Sequence, residues 1–264
     1  MKIVLTVGHS ILKSGNCTSA DGRAYGGILE YSYNKAIVER IAAYLRSAGH
    51  VVDVLVCPEL QFEKSTDEKS YKISRINHGG YDMVVELHLN ASKSHNSQGC
   101  EVLYISPAGK EIALRIQQQL ATVFKDRGIQ HRNNLYMLTQ TQPVSVMIES
   151  FFCDNPADCR VAEKHDVALL IAQGIHGHTI KTDTEGQGAG FLYRVQTGAF
   201  TMKANAESLL KRLEDNGFLA FITSVDLGRL IYRVQVGAFT VKANAEALRE
   251  KLHTKGFDAV IVMA

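Results

Sequence analysis

The chain has 264 residues, 45% hydrophobic and 21% charged, with a net charge of +2. That length holds one large domain and one small one. The charge is too small to argue for nucleic acid, and no apolar stretch approaches the roughly 18–20 residues of a membrane span.

In chain order, residues 2–7 read as a strand that ends at Gly8-His9. Apolar spacing predicts a helix over residues 30–47, with Gly49 as its stop. Residues 51–56 form the next strand. A charged stretch over 59–72 follows, read as a solvated loop rather than a lid, and then a short helix near 74–77. Residues 81–89 are a strand, 108–127 a helix, 144–149 a strand, and 157–180 mostly helix. Strands alternating with helices predict an α/β fold with a mostly parallel sheet flanked by helices.

Residues 181–190 carry three glycines and no large apolar side chain, which is a linker composition. The remainder is an internal duplication, 193–223 and 232–262. Tyr193-Arg194-Val195-Gln196-Thr197-Gly198-Ala199-Phe200 returns 39 residues later as Tyr232-Arg233-Val234-Gln235-Val236-Gly237-Ala238-Phe239. Each copy reads strand, helix, strand. One copy is too small to bury a core, so the pair predicts one α+β domain in βαββαβ order, with a four-stranded antiparallel sheet and both helices on one face. Residues 191–264 carry ten Lys/Arg against seven Asp/Glu, a mildly basic balance within ordinary surface variation.

Five cysteines, Cys17, Cys57, Cys100, Cys153 and Cys159, are scattered and include no CxxC pair. They predict reduced thiols and synthesis in a cytoplasm. No basic region and apolar core precede the first strand, so no signal peptide is expected.

Chemistry concentrates in four places. His9 and His88 lie at or near the ends of apolar strand runs, Glu149 closes another, and Glu30 opens the first long helix. Parallel sheets place ligands at the carboxyl ends of their strands. Two His and one Glu match the ligand set of an open, catalytic zinc site, and a second Glu is left to act as a base. Each residue also has a plain alternative. His9 fits a turn, Glu30 a helix N-terminal charge, and Glu149 a surface carboxylate. The other histidines read as structural or solvated.

Gly8-His9-Ser10, Glu30-Tyr31-Ser32-Tyr33-Asn34, Glu86-Leu87-His88-Leu89-Asn90-Ala91 and Ile148-Glu149-Ser150-Phe151-Phe152-Cys153-Asp154-Asn155 resemble the motifs of the zinc-dependent N-acetylmuramoyl-L-alanine amidases of the amidase 3 family. The resemblance covers residues 1–180. Family members usually show "GHGG" first, "S-x-H-x-N-A" at the second histidine and "E-x-G-F-x-x-N" last. This chain departs at Ser10-Ile11, at Glu86 and at Ser150-Phe151, all neighbours of the key positions. The resemblance implies His9, Glu30 and His88 as zinc ligands and Glu149 as the catalytic carboxylate. The implied reaction cleaves the amide between N-acetylmuramic acid and L-alanine by zinc-activated water. Asn90 is a candidate substrate or oxyanion contact. Glu101 is read as an exposed strand residue in preference to a groove residue.

The duplicated "Y-x-V-Q-x-G-x-F" opening resembles the SPOR domain of bacterial cell-wall proteins over residues 191–264. That implies binding to peptidoglycan glycan strands stripped of stem peptides, through the open face of the sheet. Gln196, Gln235, Arg194 and Arg233 are the candidate contacts. Together these resemblances imply a phage endolysin or an autolysin, reaching the wall through a holin or by lysis. Three other readings stay open. They are a zinc peptidase acting within the stem peptide, a thiol hydrolase using Cys17 or Cys153, and a non-catalytic wall-binding protein.

Overall fold

The computed structural model describes residues 1–180, 193–218, 220–226, 230–239 and 242–263. The chain divides into two compact units, residues 1–182 and 183–264. The proposed linker, 181–190, lies outside the described residues.

The first unit contains β1 (Lys2–Val7), α1 (Glu30–Ser47), β2 (Val51–Leu55), α2 (Ser65–His78), β3 (Met83–Asn90), β4 (Cys100–Tyr104), α3 (Pro107–Leu120), β5 (Asp126–His131), α4 (Tyr136–Thr139), β6 (Val144–Phe152), α5 (Pro156–Lys164) and α6 (Val167–His176). Its six strands run in the order β2-β1-β3-β6-β4-β5. All neighbours are parallel except β6 and β4. The expected α/β class therefore holds.

Alternation along the strands assigns the two faces. Ile3, Leu5 and Val7 of β1 and Val85 and Leu87 of β3 enter the main core with Ile37, Val38 and Ile41 of α1 and Ile112 and Ile116 of α3. Val4, Val84, Leu103 and Met147 face the other way, onto Ile76 of α2 and Met137 and Leu138 of α4. Glu86, His88 and Glu149 share this second face by their two-residue spacing from Val84 and Met147.

Two sequence expectations fail here. The predicted helix over 108–127 stops at Leu120, and Asp126–His131 instead forms edge strand β5 against β4. Gly128, at φ +78°, breaks any helical continuation. The charged stretch is also no solvated loop from Ser65 onward, because α2 begins there and runs to His78. Its buried residues, Glu68, Lys72 and Ile76, recur every four positions and form one inward stripe.

The second unit contains β7 (Tyr193–Phe200), α7 (Lys203–Asp215), β8 (Phe221–Asp226), β9 (Leu230–Phe239), α8 (Lys242–Thr254) and β10 (Val260–Met263). This is the expected βαββαβ order. The antiparallel sheet runs β10-β7-β9-β8. Val195 and Val234 pack with Ala206 and Leu213 of α7 and Ala245 and Leu252 of α8, so both helices cover one face. The strand repeats break alternation at their x-Gly positions. Gln196 pairs with Gln235, and register shifts flank that pair. Gly198 follows the shift because a Cβ there would sit 2.7 Å from the Phe200 ring and 2.9 Å from Leu209 of α7.

Candidate active site

Each functional group enters from a different element, and the sheet brings them together. His9 follows β1 with φ +65°, a conformation that non-glycine residues rarely adopt and that clusters at functional sites. The turn is anchored by Gly8 N–H donating to the Leu87 carbonyl at 2.9 Å. Thr18 closes the loop, its amide donating to Ser10 O at 3.1 Å. The Thr18 hydroxyl reaches Glu68 Oε2 of α2 at 3.3 Å. Gly8 itself has no room for a side chain, since a Cβ would lie 2.1 Å from the His88 ring.

Glu30 is the first residue of α1 and is 2% exposed. Its Oε2 accepts from Ala20 N–H at 2.9 Å, and its Oε1 from Leu89 N–H at 3.0 Å. The same two oxygens meet the histidines: Oε2 lies 3.3 Å from His9 Nε2, and Oε1 lies 2.9 Å from His88 Nδ1. One donor atom each from His9, Glu30 and His88 falls within 4.8 Å of the others. Tetrahedral ligands about 2 Å from a zinc ion stand roughly 3.3 Å apart, so this N₂O set fits one such ion. Burial pushes the Glu30 carboxyl up, yet the hydrogen bonds to His88 and His9 hold it well below the usual carboxylate range. Burial works against a charged His88 too, but the Glu30 and Glu86 carboxylates raise it to about 10.

Glu149 on β6 is the register partner of His88 on β3 and of Glu101 on β4. The three form a row across the sheet. Glu149 Oε2 is buried without a hydrogen-bond partner. Burial drives its carboxyl to about 8; His88 opposes the rise, and Glu30, Glu101 and Glu86 add to it. A carboxyl poised near neutrality is suited to accept a proton and give it back.

Asn90 and Glu101 line a cleft of about 290 Å³ with Arg132, Asn134 and Glu149. Asn90 Nδ2 donates to Glu101 Oε1 at 2.6 Å. Glu101 is thus a cleft residue, its side chain only 13% exposed, and not the exposed strand residue the sequence suggested. Arg132 and Asn134 were missed altogether, because they follow a strand that carries no apolar alternation.

All five cysteines are free, and Cys153 is fully buried with its thiol pushed up to about 12 by that burial. That environment opposes a thiolate nucleophile there. His95 contacts Asp154 at 2.8 Å and His50 contacts His176 at 3.0 Å, both structural pairings outside the ligand set.

Residues 3–178 match the family described as N-acetylmuramoyl-L-alanine amidase, amidase 3. The chain belongs to that family. Residues 189–263 match the SPOR domain. Among solved structures, this amidase-family chain is similar to the catalytic domain of the CD27L endolysin targeting Clostridia difficile. The two are 51% identical with a TM-score of 0.66, over 69% of this chain and 99% of that one. It shares its fold with the CwlD amidase of Clostridioides difficile, at 23% identity and a TM-score of 0.57, over 66% and 94% of the two chains. Among curated relatives, the amidase CwlM of Bacillus licheniformis is 30% identical over 150 residues, 55% of this chain. This chain spans 58% of that relative's length.

The four candidate wall contacts lie in the second unit. Arg194, Gln196, Arg233 and Gln235 alternate with Val195 and Val234 and so occupy the sheet face opposite the helices. Gln196 and Gln235 are more enclosed than an open face implies, at 8% and 4% exposed. Their central strands and mutual pairing account for this. Gln235 Oε1 and Arg194 Nε are buried without partners. A groove of about 680 Å³ runs beside Gln196, lined also by Ala199, Arg249 and His253.

Proposed function

We propose that this protein is a peptidoglycan hydrolase that cleaves the amide between the lactyl group of N-acetylmuramic acid and L-alanine. His9, Glu30 and His88 hold one zinc ion, and Glu149 is the catalytic carboxylate. The observation that carries this reading is the convergence of the three donor groups beside a Glu149 oxygen with no protein partner. The 51% identity to an endolysin catalytic domain supports it.

Zinc bound there would act as a Lewis acid, acidifying water and polarising the scissile carbonyl. Glu149 takes the proton from the attacking water and later delivers it to the leaving L-alanine amine. Its raised proton affinity serves both steps. Two backbone amides fix Glu30 and aim its oxygens at the two histidines. One N–H of the Asn90 amide remains beyond its bond to Glu101 and can donate to substrate.

In the same proposal, residues 1–180 are the catalytic domain, 181–190 a linker and 191–264 a module for denuded glycan strands. The unpartnered Gln235 and Arg194 atoms on the sheet face support a polar ligand there, with Gln196 and Arg233 beside them. The enzyme reaches the wall after holin-mediated release or lysis. Among the described residues no helix is long and apolar enough to cross a membrane.

Digestion of purified peptidoglycan, with new termini identified by mass spectrometry, tests the reaction. Stem peptides with a free L-alanine amine and intact glycan are expected. New termini inside the stem would make the protein a peptidase. Wall binding without cleavage would leave only the glycan-binding half.

A further inference from the structure

Two residues before His88, on the same face of β3, stands Glu86, which is 3% exposed. Its Oε1 accepts a hydrogen bond from Lys72 Nζ of α2, and its Oε2 lies 3.3 Å from His88 Nε2. Lys72 is also 3% exposed and donates to the Val7 carbonyl at 3.0 Å. His88 therefore has a carboxylate oxygen near each ring nitrogen. Nδ1 faces Glu30 in the ligand cluster, and Nε2 faces Glu86 on the other side of the ring.

We propose that Glu86, neutralised by Lys72, is a positioning residue that fixes His88 as the Nε2–H tautomer and so presents the Nδ1 lone pair to the metal. This rests on the reading of His9, Glu30 and His88 as zinc ligands. A neutral imidazole carries one N–H and one lone pair, and an acceptor at one nitrogen decides which is which. Carboxylates commonly serve in this way behind ligating histidines, orienting the ring and raising its basicity. Glu86 is not a fourth ligand, because Lys72 occupies one oxygen and the carboxylate stands outside the mutually close donor set. Lys72 has its own reason to be present. A lone buried carboxylate is costly, and a paired one is tolerated. The amidase pattern usually places Ser at position 86, so this buried pair is a device particular to chains with Glu there.

The test uses the full chain stripped of metal with a chelator. Zinc affinity is measured by competition with a chromophoric chelator for wild type, for Glu86→Gln, and for the double variant Glu86→Ala with Lys72→Met, which leaves no uncompensated charge. The ¹⁵N spectrum of His88 in the zinc-loaded wild type reports the tautomer. Wild type is expected to bind one zinc per chain with Nε2 protonated. The folded double variant is expected to bind zinc roughly 10–100-fold more weakly. Glu86→Gln leaves one acceptor oxygen for Lys72 and His88 to share, and is expected to lose affinity as well. A purely structural pair would lower the melting temperature and leave the zinc affinity of the folded protein unchanged. An affinity within twofold of wild type in the folded double variant, or metal on Nε2, overturns the proposal. If the double variant does not fold, the wild-type spectrum still decides. Wild type binding no zinc at all would overturn the underlying metal reading as well, a result distinct from the other two.

Discussion

At the scale of single residues, the proposal gives Glu149 proton transfer and His88 metal retention. Replacing Glu149 by Gln removes the proton acceptor and keeps the shape. Turnover of muropeptide substrates is expected to fall by about 10²–10⁴-fold, with zinc stoichiometry unchanged. Loss of zinc together with activity would instead make Glu149 a ligand. His88 gives a pH prediction. Its proton affinity in the metal-free fold is raised from 6.5 to about 10 by Glu30 and Glu86, against the opposing effect of burial. The stabilisation from that proton is complete below about 6.5 and is lost as pH rises through about 10. Between those limits, zinc binding must displace the proton. Calorimetry at pH 8 in buffers of different ionisation enthalpy is expected to show about one proton or more released per zinc, from His88 with a further part from Glu149. Release near zero would contradict the assigned charge. The grouping of His9, Glu30 and His88 was readable because each polar side chain closes or opens an apolar run. Lys72 was unreadable, since it sits in a charged stretch whose buried stripe includes only one apolar residue, Ile76.

At the scale of elements, the site depends on pieces whose sequences look unremarkable. Helix α2 brings Glu68 to the His9 loop and Lys72 to Glu86, yet its first eight residues, Ser65 to Lys72, are all charged or hydroxyl-bearing. Strands β4 and β5 close the cleft. Recognition of β5 failed because it reads Asp-Arg-Gly-Ile-Gln-His, polar along most of its length. Asp158 of α5 ties the start of β4 to the end of β6. Its buried Oδ2 accepts from Gly99 N–H at 2.8 Å and Phe152 N–H at 3.1 Å. Asp158→Ala would leave two amides without partners and is expected to cost about 2–4 kcal/mol in denaturant unfolding. A loss under 1 kcal/mol would mean that water replaces the carboxylate. By contrast, α1, β1, β3, β6 and the whole βαββαβ repeat were legible. Their apolar periodicity is strong, and the duplicated motif repeats its own bulge and glycine.

At the scale of the whole molecule, the proposal assigns cleavage to the first unit and wall binding to the second. The segment 1–182 forms its own compact unit. Expressed alone, it is expected to cleave soluble muropeptides with unchanged kcat and to show a raised apparent KM on intact walls, because tethering through a second site raises local concentration. Equal KM values for the fragment and the full chain would remove the targeting role. The element order of the second unit was readable from the repeat. Side-chain enclosure at Gln196 and Gln235 was not, since it depends on the register of strands distant in sequence.

The central claim is that one zinc ion, held by His9, Glu30 and His88, is required for amide cleavage. Titrating zinc into chelator-stripped protein while counting new L-alanine amino termini tests it most directly. The account predicts no cleavage without metal, recovery that saturates at one zinc per chain, and no recovery in His88→Ala. Full cleavage by the stripped protein, or by His88→Ala, would contradict it.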